Sequence, residues 1–309
     1  MAQRQDDVIN LFCLLKVPGV GTFVNEDLPS TSNVKSLSTK TEYITECGFK
    51  VFCEEPMKKW RILFDGNLVP SDECHPNLTK IGPDTNKEPM ALIKATLDLT
   101  WINQGEYFDF DLECSPEAIG SSIAREPWSR ALFERLKNTH QLHYEQFGTI
   151  MGRVQVGDFV SNEVKMISMR DHTITKYRNW SEIRRYIMLI YHLEDGTCIH
   201  TSVISMPEVV FSHLQFGYIV TKELEKIPVD NINLNLWEIG ENKNVPNHFS
   251  YSFRAGGKLY NVEVNVKDSI KFKMGLDQAC YVEENMCEFV ANGIKGYGFA
   301  EFEYRIDPY

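Results

Sequence analysis

Alternation is the feature that most narrows the fold of this chain. In ALIKATLDLTW, residues 91–101, Ile93, Ala95, Leu97, Leu99 and Trp101 alternate with Lys94, Thr96, Asp98 and Thr100. A period of two sends successive side chains to opposite faces of a strand, which predicts a sheet with one dry face and one wet face. EYFDFDLE repeats the pattern with Phe108, Phe110 and Leu112 against Tyr107, Asp109 and Asp111. It is expected to pair back on the preceding strand across a turn at Asn103, Gln104 and Gly105. Further hairpins are expected at Asp65-Gly66-Asn67, Asp195-Gly196 and Gly256-Gly257, because glycine supplies the positive φ of a tight reversal. INLNLWEIG and YGFAEFEYR continue the alternation.

One segment departs from it. In AREPWSRALFERLKN, Pro127 suits a first helical position, and Trp128, Ala131, Leu132 and Leu136 oppose Arg130, Glu134 and Lys137. This predicts a helix over 127–137, with a boundary between about 138 and 146. The fold class expected is all-β: two antiparallel barrels or strongly curved sheets in tandem with one short helix between them. The first domain would cover 1–140, including the helix, and the second 141–309. Surface loops are expected at Asn25–Thr39 and Ser71–Lys87.

A net charge of −11 and a pI near 5.3 argue against nucleic acid or an anionic membrane as main partner. No apolar run reaches the ~18 residues that span a bilayer, and the start of the chain carries no clear signal peptide, so a cytoplasmic protein without membrane insertion is expected. The eight cysteines show no C-x-x-C spacing and read as reduced thiols. Sequons at Asn77 and Asn179 would matter only in a secreted protein.

MRDHTITKYRNW, residues 169–180, concentrates polar chemistry in an otherwise apolar neighbourhood. On a strand, Arg170 and His172 share one face and Asp171 takes the other. Arg170 and His172 would then serve a barrel interior, as an anion or ligand contact and as a proton-moving group, with Tyr177, Trp180 and Arg184 extending the wall. The same cluster, with Asp171 and Arg184 as structural partners, also fits a buried lock with no chemistry. Glu301 shares a strand face with rings and is a candidate general acid. The aromatic stock, notably Trp101, Trp128, Trp237 and Tyr260, predicts a ring-lined ligand cavity. His140 and His143 follow the helix in a polar turn, and His192 and His200 are expected on opposite faces of their hairpin, so no metal site and no cofactor are expected. Phosphate cradles and nucleophile elbows are missing from the sequence.

The strings KKWRILFDG, IAREPWSR, YEQFGTIMGRVQVG, MRDHTITKYRNW, LEDGT, FGYIV and GYGFAEFEYR, in this order, resemble the N-terminal region of phosphoenolpyruvate-synthase-like proteins. That region is itself similar to the AttH and carotenoid hydratase type of lipocalin-like double barrels. The resemblance implies a pair of calycin-like barrels and a hydrophobic small-molecule ligand, such as an isoprenoid (terpenoid), polyene or lipid. It also implies an activity in the range of cyclase, isomerase or hydratase. The family's R-D-H-S/T pattern falls on Arg170, Asp171, His172 and Thr173, but the glycine usual two places after the histidine is here Ile174. The expected function is therefore binding of a hydrophobic ligand, with cyclisation, isomerisation or hydration by His172 or Glu301. The alternative is a noncatalytic carrier or accessory domain of a phosphoenolpyruvate-synthase-like phosphotransferase. Either reading is compatible with a homodimer.

Overall fold

The computed structural model describes residues 2–3, 8–25, 34–35, 41–71, 91–175, 180–207, 209–240, 245–274 and 280–306. Most of the loop expected at 25–39, nearly all of that at 71–87, Tyr177 and both sequon asparagines lie outside the described residues. The chain divides into two compact units, one of residues 1–104, 147–168 and 272–276, the other of residues 105–146, 169–271 and 277–309.

The first unit contains β1 (Ala2–Gln3), β2 (Val8–Asn10), β3 (Leu14–Val17), β4 (Gly21–Asn25), β5 (Val34–Lys35), β6 (Glu42–Ile44), β7 (Phe49–Glu55), β8 (Lys59–Pro70) and β9 (Ile93–Asn103). Next in sequence come β10 (Phe108–Asp109), helix α1 (Pro116–Ile123), helix α2 (Arg130–Asn138), β11 (Leu142–Val156) and β12 (Phe159–Ile174), of which residues 147–168 belong to the first unit and the rest to the second. In the first unit's curled antiparallel sheet β9 lies between β8 and the later part of β11, with Trp60 opposite Trp101 and Val156 opposite Ala95. The alternation of 93–101 is realised: Ala95, Leu97, Leu99 and Trp101 are buried, and Lys94 and Asp98 face water. Ala95, Leu97 and Leu99 pack with Phe23, Phe64, Leu68, Val154 and Val156, each large side chain contributing about 1.5–3 kcal/mol of burial.

Two expected turns are not turns. β8 runs straight through Asp65-Gly66-Asn67, and the glycine serves a change of neighbour: β7 pairs with residues 59–64 and β4 with 68–70. A Cβ on Gly66 would lie 2.7 Å from the Cys47 carbonyl oxygen, so close approach, not reversal, selects glycine. At 103–105 the chain leaves β9 without forming a hairpin, and β10 pairs instead with β11, Phe108 opposite Glu145.

The second unit is built on a closed barrel of β13 (Arg185–Leu193), β14 (Cys198–Ser205), β15 (Leu214–Val220), β16 (Lys226–Asn233), β17 (His248–Ala255), β18 (Lys258–Met274), β19 (Cys280–Ala291) and β20 (Ile294–Arg305), with β20 returning to β13. The hairpins at Gly196 and Gly256-Gly257 form as expected, with φ of +92°, +56° and +75°. INLNLWEIG is a strand only to Asn233 and then turns through a 3-10 segment, Leu236–Glu238.

Segment 105–146 packs on this barrel, so the compact units divide the chain differently from the expected 1–140 and 141–309. Long-range hydrogen bonds anchor it: the Ser115 hydroxyl donates to Asp230 at 2.8 Å, and Glu126 accepts from the Ser212 amide and hydroxyl at 2.6 and 2.7 Å. Such bonds leave no trace in local periodicity. The expected 127–137 helix begins later, because Ser129 caps it by accepting from the Leu132 amide at 3.1 Å. Pro127 and Trp128 precede it, the latter 69% exposed. The sequence reading missed α1, whose Gly120-Ser121-Ser122 run conceals its buried face.

Side chains fill the barrel interior, as the width of an eight-stranded barrel allows. Tyr191 stacks on Phe289 with centroids 4.2 Å apart, and Phe253 on Tyr260 at 4.7 Å. Within this core the Tyr251 hydroxyl bridges Tyr191 at 3.0 Å and Thr201 at 2.9 Å. Tyr251→Phe removes the bridge and leaves two buried hydroxyls short of a partner. It is expected to destabilise the second unit by about 1–3 kcal/mol, read as a shift in urea midpoint with unchanged slope.

Candidate functional site

The pairing of β14 and β15 places the site on the barrel's outer wall. Along β14 and β15, Ile199, Thr201 and Ile219 face the core, so His200, Ser202, Phe216 and Tyr218 face outward, His200 opposite Tyr218 and Ser202 opposite Phe216. Gly217 permits the two strands to approach: a Cβ there would sit 2.2 Å from the His200 carbonyl oxygen. His200, Ser202 and Tyr218 are nonetheless buried and Phe216 half-buried, because β10 and the start of β11 lie over them. Phe108 stacks on Tyr218 at 4.2 Å, and Phe110 packs against His143, His200 and Phe216 at 4.4, 6.1 and 5.3 Å.

β11 contributes His143 and Glu145 from one face and Tyr144 from the other. Glu145 is wholly buried and held at both oxygens, Oε1 by His143 Nε2 at 3.1 Å and Oε2 by His200 Nδ1 at 2.6 Å. The far nitrogen of His200 meets the Ser202 hydroxyl at 3.0 Å, and that of His143 meets the Thr173 hydroxyl at 2.8 Å. Thr173 in turn donates to Asp171 at 3.2 Å. The groups form one continuous path: Asp171, Thr173, His143, Glu145, His200, Ser202. Burial pushes the Glu145 carboxyl up, but the charges and hydrogen bonds of His200 and His143 outweigh it and hold the group at about 2. Burial, then the Glu145 carboxylate, drives the Tyr218 phenol well above its ordinary value.

Hydrogen-bond chemistry assigns the protons along this path. An ionised Glu145 only accepts, so His143 Nε2 and His200 Nδ1 donate to it. With the Thr173 hydroxyl donating to Asp171, His143 Nδ1 must donate as well, and the ring is an imidazolium; with Thr173 turned to donate to Nδ1, the ring is neutral. The His143 side chain is 16% exposed and that of Asp171 45%, so the outer end of the path meets water while His200 is sealed. His143, Glu145 and Asp171 also present ligand atoms within 4.8 Å of one another, though no metal site was expected here. A divalent cation bound there would have to displace hydrogen bonds that the donors already make.

MRDHT therefore supplies both faces of β12. Asp171 and Thr173 face His143, whereas Arg170 and His172 stand beside Tyr144, with Arg170 donating to its hydroxyl at 3.2 Å and the His172 ring 5.0 Å away. Burial, reinforced by Arg170, lowers the His172 pKa. β12 is not a strand of the closed barrel, so Arg170 and His172 do not line that barrel's interior. Asp171, expected to be purely structural, lies at the outer end of the hydrogen-bonded path. Glu301 lies on the outer wall opposite Glu284 and accepts from the Tyr186 hydroxyl. Trp101 is core in the first unit, Trp128 is exposed, Tyr260 is stacked in the barrel, and Trp180 is half-buried in a 3-10 turn. Arg184 and Trp237 line a separate pocket.

Two sequence expectations are corrected. His143 is a strand residue, not part of a polar turn, and its i, i+2 relation to Glu145 was the available signal. His192 and His200 share one face: Leu193 pairs with Thr197 and His192 with Cys198, one residue off the expected register, and a one-residue slip flips a strand's faces.

Fold and site together define a lipocalin-like, all-β double barrel with a buried carboxylate–histidine chain on the wall of its second unit. The family model whose description is "Family of unknown function (DUF8627)" matches residues 1–304, and the chain belongs to that family. Among solved structures, an AttH-like protein from Nitrosomonas europaea superposes with a TM-score of 0.51 at 10% identity, covering 88% of this chain and 69% of that one. Kievitone hydratase from Nectria haematococca gives a TM-score of 0.46 at 14% identity, covering 89% and 72%. No curated protein matches in sequence. The first likeness supports the double-barrel fold, and none of these comparisons supports the link to phosphoenolpyruvate-synthase-like proteins.

Proposed function

We propose that the protein binds a hydrophobic small molecule, of isoprenoid, polyene or lipid character, and moves a proton on it in an isomerisation, cyclisation or hydration. His143 is the acid–base group, and Glu145 with His200 is the buried pair that sets its tautomer and charge. The observation that carries this reading is the Glu145 carboxylate clamped by two histidines at 3.1 and 2.6 Å, with only the outer one reaching solvent. A histidine oriented by a buried carboxylate has a fixed tautomer and a stabilised imidazolium, which is what general acid–base catalysis requires. The Phe110 ring, packed against His143, gives an apolar substrate a surface to lie on at the acid–base group.

The test begins with native mass spectrometry and organic extraction of the purified chain, followed by incubation of the extracted compound with enzyme in deuterated water. Deuterium uptake or product formation is expected to fall about 10²–10⁴-fold in His143→Gln with the melting temperature nearly unchanged. A bound compound that His143→Gln retains and leaves unaltered, as the wild type does, would establish a carrier and remove the catalytic reading. A large loss of melting temperature without any bound compound would assign the cluster to structural locking.

A further inference from the structure

A second constellation lies apart from the histidine path, at the end of the barrel where β13 begins and β14 and β20 end. There a cavity of about 520 Å³ is lined by Arg125, Arg184, Arg185, Arg305, His213 and Trp237, with Ser205, Ser212, Leu236 and Tyr304 completing the wall. Four guanidinium groups and no acidic side chain line this space, in a chain whose net charge is −11. Several cationic side chains around one concavity favour a bound anion.

The framework is built rather than accidental. Arg184 and Arg185 are fixed by strand pairing, Arg185 opposite both Ser205 and Tyr304, and the Arg305 amide donates to the Arg184 carbonyl at 3.1 Å. The Arg185 guanidinium donates to the Leu236 carbonyl at 2.6 Å, which ties down the 3-10 segment that carries Trp237. Opposite them, His213 is only 7% exposed, and among the described residues neither its ring nor the Arg125 guanidinium makes a hydrogen bond or ion pair. Burial, then Arg125, pushes His213 down to about 4, so at neutral pH it offers a neutral donor and acceptor. Trp237 is 61% exposed at the cavity's edge, an indole face open to stacking.

We infer that this cavity binds a small molecule that joins a dianionic oxyanion, of the phosphate type, to a flat ring. The arginines and His213 hold the oxyanion and Trp237 stacks on the ring. Arginine presents paired donors that match the oxygens of such a group. The volume lies within the ~300–1,000 Å³ of small-molecule sites and exceeds what a bare anion fills.

Isothermal titration of the full chain with phenyl phosphate, inorganic phosphate and benzoate tests this. Phenyl phosphate is expected to saturate one site, with phosphate and benzoate each at least 10-fold weaker, and the affinity is expected to fall as salt rises. Arg125→Gln should weaken phenyl phosphate at least 10-fold. Trp237→Ala should weaken phenyl phosphate but leave inorganic phosphate unchanged. Both side chains stand outside the core, so circular dichroism should show both variants folded. Benzoate binding as tightly as phenyl phosphate would overturn the dianion assignment. No saturation by any of the probes at millimolar concentration, or binding indifferent to Arg125→Gln, would overturn the site.

Discussion

Glu145→Ala is expected to destabilise the second unit by about 3–5 kcal/mol at pH 7, because removing one partner of a buried charge network strands the others. His143 and His200 would each lose a hydrogen bond, and His200, wholly buried, would have no water to replace it. The pH dependence separates this from a simple cavity effect. The folded carboxyl sits at about 2, below the ordinary 4.5, so its stabilisation is present above pH 4.5 and is lost as the pH falls toward 2. That gap corresponds to roughly 3 kcal/mol. Urea unfolding of the wild type between pH 6 and 2.5 should show this acid limb, and Glu145→Gln should flatten it. An acid limb of equal steepness in the glutamine variant would dismiss the carboxylate as its source.

Glu303→Gln is expected to act in the opposite direction and stabilise the protein by about 3–5 kcal/mol at pH 8. Glu303 is wholly buried, and burial, with the charge of Glu301 adding to it, raises the carboxyl to about 8 against the lowering pull of Cys280, Arg185 and Arg305. A folded value above the unfolded one means that this residue's contribution is intact below pH 4.5 and is lost as the pH rises through 8. Wild-type stability should therefore decline from pH 5 to 9, and Glu303→Gln should follow a shallower decline while matching wild type at pH 4.5. Some slope should persist, because the carboxyl of Glu284 is also raised, by burial and by Glu301. A variant less stable than wild type at pH 8 would show that Glu303 is ionised in the fold.

These residues also mark how far the sequence could be read. Alternation at 93–101 identified a strand and its buried face, since the rule depends only on the geometry of an extended backbone. Asp195-Gly196 and the glycine pair at 256–257 identified true hairpins for an equally local reason. Gly66 satisfied the same rule and was not a turn, because its glycine serves a neighbouring carbonyl, which no local pattern contains. The polar cluster at 169–173 was legible as a concentration of chemistry, and its division into an Arg170/His172 face and an Asp171 face is the division seen. What that chemistry meets was not legible.

Sequence alone determined that this is an antiparallel protein of two curled sheets, because strand faces and tight turns are written in neighbouring residues. Only the tertiary structure decided that Glu145 meets His200, 55 positions away in sequence, and that arginines from both ends of the second unit's chain share one cavity. Such meetings depend on barrel closure, on register and on the segment laid over the wall. A shift of one residue in register sends every one of those side chains to the other face.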